Sequence, residues 1–92
     1  TTCSTAAGTV AKTAALTGFV LTTGSVVYVM FSNANTAANP TLNVNSTGAK
    51  AMYSAGTRLT GDKIKSGVVY AFVYDGTQYQ SLGGGGGGGW GN

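Results

Sequence analysis

The chain alternates apolar and polar residues with the period of strands. Ser25-Val-Val-Tyr-Val-Met-Phe-Ser32 is rich in β-branched and aromatic side chains. Its apolar run is nearly continuous, which predicts a central strand covered on both faces. Gly24 and the Asn33-Ala-Asn35 cluster punctuate its ends. Val68–Tyr74 predicts a second strong strand. Asp75-Gly76 follows, then Thr77–Leu82, and an Asp-Gly pair between two such runs is a hairpin signal. In the return strand Thr77, Tyr79 and Ser81 share one face, with Gln78, Gln80 and Leu82 on the other. Neither face is purely apolar, so an edge strand with one solvated side is expected.

Weaker strands are predicted at Lys12–Leu16, Phe19–Leu21, Thr41–Val44 and Lys50–Tyr53. Pro40 stands just ahead of the third, where its missing N–H does no harm. Asn45-Ser-Thr-Gly48 reads as a turn joining Thr41–Val44 to Ala49–Tyr53 in another hairpin. Leu59–Ile64 reads as a loop or short strand leading to Gly67. Thr5–Leu16 carries five alanines, but Thr9, Val10, Thr13 and Gly8 oppose a helix. It reads as extended, with a short helical turn near Ala6 as the alternative. Short strands with turn signals at intervals of about 8–12 residues predict an all-β fold. The expected form is a small antiparallel β-sandwich or barrel-like domain over residues 1–82, followed by an extended glycine-rich tail over 83–92.

That tail is seven glycines, Gly83, Gly84, Gly85, Gly86, Gly87, Gly88 and Gly89, then Trp90, Gly91 and Asn92. Glycine loses more backbone freedom on ordering than any other residue. With no side chains, the run can be held only through its N–H and C=O groups. Two readings stand. Either these glycines pack laterally as extended, polyproline-II-like backbone against other main chains, with Trp90 as the assembly anchor, or the run is a flexible linker.

Composition narrows the function classes. In 92 residues only 8% are charged, and the net charge is +3. The usual charged share of a soluble domain is about a quarter. Thr, Ser, Asn and Gly must therefore supply the polar surface, a composition typical of extracellular and viral fibrous proteins. The cations Lys12, Lys50, Arg58, Lys63 and Lys65 are too few for a nucleic-acid stripe. Lys63 and Lys65 flank Ile64, so on a strand they would share a face. No 18-residue apolar run exists, so no membrane insertion is expected. The chain does not begin with Met, so a processed or excised piece is expected, and no signal peptide is visible. Cys3 is the only cysteine, so no intrachain disulfide is possible. A buried thiol is favoured over an intermolecular partner.

Catalytic chemistry finds little support. The chain has no histidine and no glutamate, and Asp62 and Asp75 are its only acidic side chains. Asp75 is claimed by the hairpin turn, which leaves Asp62 without a second carboxylate. A Ser or Cys nucleophile would lack a histidine base. A lysine base must be desolvated, and nothing in the sequence marks a lysine as buried. The expectation is therefore no enzyme, no cofactor and no metal site. Asn45-Ser-Thr47 matches a glycosylation acceptor, although a plain turn is favoured. Aromatic rings suit saccharide faces. Tyr70 and Tyr74, beside Phe72, read as packing within the sheet, whereas Tyr79 and Trp90 are the better-exposed candidates for glycan contact.

Three stretches together carry a resemblance: Thr2–Thr13 (TCSTAAGTVAKT), Phe31–Lys50 (FSNANTAANPTLNVNSTGAK) and Tyr70–Tyr79 (YAFVYDGTQY). They resemble a module of tail-fibre and baseplate-associated proteins of bacteriophages and prophages, especially from phages of Gram-positive and gut bacteria. The resemblance covers residues 2 to about 82. Asn-Pro-Thr-Leu-Asn-Val and Phe-Val-Tyr-Asp-Gly-Thr are fairly specific in combination and weak singly. Tyr79 stands where a tryptophan is common, and the long glycine run is not a usual part of the module. The resemblance implies a β-rich fold, a virion and hence extracellular location, oligomeric fibres and attachment to a host surface. It supplies no catalytic site. The expected function is a non-enzymatic structural and attachment module of a phage tail fibre or receptor-binding protein. Its expected partners are its own copies as a homotrimer, other virion fibre proteins and bacterial surface polysaccharide. The alternative is a purely structural subunit of a virion decoration or cell-surface filament, with no ligand.

Overall fold

The structure, a computed structural model, describes residues 1–84. The expectations placed on Gly85–Gly89 and Trp90 lie outside the described residues. Eight strands form: β1 (Thr2–Cys3), β2 (Ala11–Ala14), β3 (Val26–Phe31), β4 (Thr41–Val44), β5 (Lys50–Ser54), β6 (Thr57–Arg58), β7 (Val69–Tyr74) and β8 (Tyr79–Gly84). The described residues contain no α-helix, only a single 3-10 turn at Gly61–Lys63. No helix among them is long and apolar enough to cross a membrane.

The strands follow one another in the order β1-β3-β7-β8-β5-β4-β2, with β6 beside β5. β4 and β6 share one side of β5: β4 takes Lys50 and Ala51, and β6 takes Tyr53 and Ser54. The sheet curls until its two ends, β1 and β2, nearly meet. No ladder joins them. Side chains bridge the seam: the Thr13 amide donates to Thr5 Oγ1 at 3.0 Å, and Thr1 Oγ1 donates to the Ala15 carbonyl. The domain is thus all-β and barrel-like. Its sheet is mixed, because β1/β3, β2/β4 and β5/β8 pair in parallel.

The Asp75-Gly76 hairpin forms, pairing β7 with β8 antiparallel. Gly76 takes φ +103°, and the Asp75 carboxylate accepts four hydrogen bonds: from the Thr77 and Gln78 amides and the side chains of Gln78 and Gln80. The β4–β5 hairpin also forms, turning at Asn45 and Ser46 with φ near +55° (54° and 57°). The Ala6–Thr9 turn is closed by the Thr9 amide on the Ala6 carbonyl, and β2 follows it as extended chain.

Three expectations need correction. β8 is not an edge strand, since β7 and β5 flank it on both sides. Its mixed faces fit a barrel wall instead, with Tyr79 inside and Gln80 half-buried. β3 is not covered on both faces: Val27, Val29 and Phe31 are buried, but Val26 and Tyr28 are exposed. Phe19–Leu21 is not a strand, because its neighbourhood closes local bonds. Ser25 Oγ donates to the Val20 carbonyl at 2.6 Å, and the Ser25 amide to the Thr22 carbonyl at 2.9 Å. Leu59–Ile64 is a loop, one of its two expected forms, and holds the 3-10 turn; β6 just before it was unforeseen.

The core is built from the inward positions of β3, β4, β5, β7 and β8, closed by Leu59 and Ile64. A line of rings runs through it. Phe31 meets Tyr70 edge-on at 5.7 Å, Tyr70 stacks on Phe72 at 6.2 Å, and Phe72 meets Tyr79 edge-on at 6.1 Å. Each such pair adds about 0.5–1.5 kcal/mol beyond the area it buries.

Candidate functional site

Tyr79, expected to offer an exposed ring, is fully buried. Its place on an interior strand turns the ring into the barrel, between Phe72 and Tyr74. No face is left for a sugar. Burial pushes its hydroxyl pKa up from the ordinary tyrosine value, and nearby Thr47 pulls weakly the other way. Thr47 Oγ1 gives its own proton to the Val44 carbonyl at 2.7 Å, and the Tyr79 hydroxyl makes no hydrogen bond among the described residues. Trp90, the other expected glycan contact, lies outside the described residues. Of the expected assembly glycines, Gly83 and Gly84 continue β8, with Gly84 opposite Tyr70, and Gly85–Gly89 lie outside.

Lys12 was not expected to be buried, yet it is. β2 turns it inward, and its ammonium donates to the Ala6 and Ala7 carbonyls at 2.9 and 3.1 Å. Burial lowers its pKa, while nearby Cys3 acts in the opposite sense. The ammonium is thus engaged by the Ala6–Thr9 turn. Cys3 is a buried free thiol, 3.5 Å from Thr5 Oγ1. Among the described residues no cluster of His, Cys, Asp or Glu has the makings of a metal site. The amide of Asn45, in the glycosylation-like triplet, grips Leu16 at both its backbone groups, which is a turn-and-staple role.

Two surface features remain. The first is the outer face of β3 and β7. Cross-strand partners share a face, and the outward pairs are Val26 with Val73, Tyr28 with Ala71, and Met30 with Val69. All six are apolar. Val26, Tyr28 and Val69 are 44%, 56% and 47% exposed, and Leu82 on β8 is 48% exposed. The sequence held the signal, in residues 26, 28 and 30, but only the β3/β7 register places β7's apolar set beside it.

The second is a cleft of about 440 Å³ between the β5–β6 hairpin and the segment after it. Ser54 and Thr57 line it from the hairpin, with Asp62, Lys63 and Lys65 from the 3-10 turn and beyond. A larger, shallower groove follows the β1–β2 seam, where Thr5, Thr13, Asn43 and Asn45 already bond to groups of the fold. Comparison with protein-family models, curated proteins and solved structures finds no match to this chain.

Proposed function

We propose that this chain is a non-enzymatic structural and attachment module of a phage tail fibre or similar virion appendage, assembling with its own copies through the outer face of β3 and β7. The observation that carries the assembly is the uncharged apolar face itself. Val26, Tyr28 and Val69 stand about half exposed on it, and contiguous exposed apolar patches on single domains are often functional. The virion setting rests on the sequence resemblance and on the scarcity of charge. The resemblance implies oligomeric fibres, and a homotrimer is the form proposed for them.

Light scattering of the whole chain across a concentration series tests this reading. The expected mass is three times the monomer's, falling to the monomer mass in Tyr28→Glu with an unchanged circular dichroism spectrum. A wild type that stays monomeric at millimolar concentration overturns self-assembly. A Tyr28→Glu variant that still assembles moves the contact elsewhere.

A further inference from the structure

The attachment half of the proposed function needs a ligand site, and the inference that follows rests on that reading. Tyr79, inside the barrel, offers no ring to a ligand, and Trp90 lies outside the described residues. The cleft beside the β5–β6 hairpin remains, and its chemistry is specific. Lys63 and Lys65 both border it, because Ile64 between them is fully buried and sends its two neighbours outward. Among the described residues neither ammonium has a carboxylate partner, nor does any hydrogen bond hold it.

The backbone that carries these lysines is fixed. The buried Tyr70 hydroxyl accepts a hydrogen bond from the Lys65 amide at 2.8 Å and donates to the Lys63 carbonyl at 3.3 Å. The Asn35 amide donates to the Ile64 carbonyl at 3.0 Å. The buried Asn35 side chain also donates to the Gly61 carbonyl at 2.7 Å. One buried tyrosine and one buried asparagine thus lock the segment from Gly61 to Lys65. Two cations on a locked backbone lose less freedom on binding than two on a loose loop.

Ser54 and Thr57 line the same cleft from the hairpin, and Asp62 adds a carboxylate to its lining. Hydroxyl side chains both donate and accept, and a carboxylate accepts, which suits a ligand carrying several hydroxyl groups. Two ammonium groups against one carboxylate leave a local charge that favours an anion. The cleft's volume of about 440 Å³ falls in the range of small-molecule sites. We infer that this cleft binds a hydroxyl-rich anion the size of one sugar unit, a saccharide or polyol bearing a carboxylate or phosphate, with Lys63 and Lys65 holding the charge.

The test is a chemical-shift titration of the whole chain with glucuronic acid, glycerol 3-phosphate, inorganic phosphate and glucose. Weak, millimolar binding by glucuronic acid or glycerol 3-phosphate is expected, moving the amide signals of Thr57, Lys63 and Lys65. A response to glucuronic acid alone assigns an acidic saccharide, and one to glycerol 3-phosphate alone assigns a polyol phosphate. A response to both supports the shared chemistry. In the Lys63→Gln/Lys65→Gln variant binding should weaken tenfold or more, with the fold and the oligomeric mass unchanged. Glucose binding as well as glucuronic acid overturns the role of charge. Inorganic phosphate binding as well as the best organic probe overturns the role of the hydroxyls. No response to any probe at 50 mM (roughly the weakest binding worth the name), or full binding by the double variant, overturns the site. Because assembly is read separately by mass, failure here leaves the self-association reading standing, and the converse holds too.

Discussion

Asn45 accepts a hydrogen bond from the Leu16 amide at 2.7 Å and returns one from its own side-chain amide to the Leu16 carbonyl. One residue of the β4–β5 turn thus fastens the chain leaving β2. The link acts where the β2/β4 ladder ends, since Ala14 opposite Val44 is its last pair. Asn45 itself sits at φ +54°, which asparagine tolerates better than most residues. Asn45→Ala loses both bonds and strains the backbone. Asn45→Gly loses the bonds only. Chemical denaturation should show Gly costing about 1–2 kcal/mol for the two partly solvated bonds, and Ala costing more. A glycine variant as stable as the wild type would mean that the staple contributes nothing.

Local signals carried well from sequence to structure, and distant pairings did not. Asp75-Gly76 forms its hairpin within a few residues, and Thr41–Val44 is a strand with the predicted bounds. The place of β8 was hidden because its second neighbour, β5, pairs with it in parallel from more than twenty residues away. Tyr79 therefore looked exposed. Lys12 is a local exception: the Ala6–Thr9 turn, only five and six residues away, brings two carbonyls to its ammonium, and nothing in the sequence marked it. For the cleft, the sequence showed Lys63 and Lys65 on one side of Ile64. It gave no sign that Ser54 and Thr57 would line the same cleft.

The β7–β8 turn offers a second test. Gly76 holds φ +103°, and a Cβ built there would lie 3.1 Å from Thr23 Oγ1. A side chain rarely adopts this backbone conformation, so Gly76→Ala should cost about 1–3 kcal/mol. Thr23→Ala removes the close approach but not the backbone strain. The double variant should therefore recover only part of the loss in urea titrations. Full recovery would show that crowding against Thr23, and not φ, sets the cost.

Asp75 should govern part of the acid limb of stability. Hydrogen bonds from the Gln78 amide, the Gln80 side chain and the Thr77 amide hold its carboxyl below the ordinary aspartate value of 3.8. A depressed folded pKa means that the unfolded chain takes up the proton first. The contribution is present above pH 3.8 and is lost as pH falls through the folded value. Asp75→Asn should flatten the urea midpoint over this range. A variant with the same acid slope as the wild type would remove Asp75 from the account.

Lys12 should govern the alkaline side, with the opposite chemistry. Its ammonium is buried, so the folded protein holds that proton less tightly than the unfolded chain does, whose lysine keeps the ordinary value of 10.5. Between the folded value and 10.5 the unfolded state binds more protons, and stability rises with pH. The contribution is complete above 10.5 and is lost as pH falls through the folded value. Tyr79 opposes it. Burial raises its pKa above 10.0, so the part of stability that depends on its neutral form declines once pH climbs past 10.0 and toward the folded value. The clean comparison therefore lies below pH 10.0. The wild-type urea midpoint should rise as pH passes the folded value toward that limit, and Lys12→Met should lose the rise. The methionine leaves the Ala6 and Ala7 carbonyls without that donor, so its stability at neutral pH reflects two opposing changes. The slope, unlike the level, isolates the proton. Parallel curves for wild type and Lys12→Met would show that the buried ammonium does not titrate with folding.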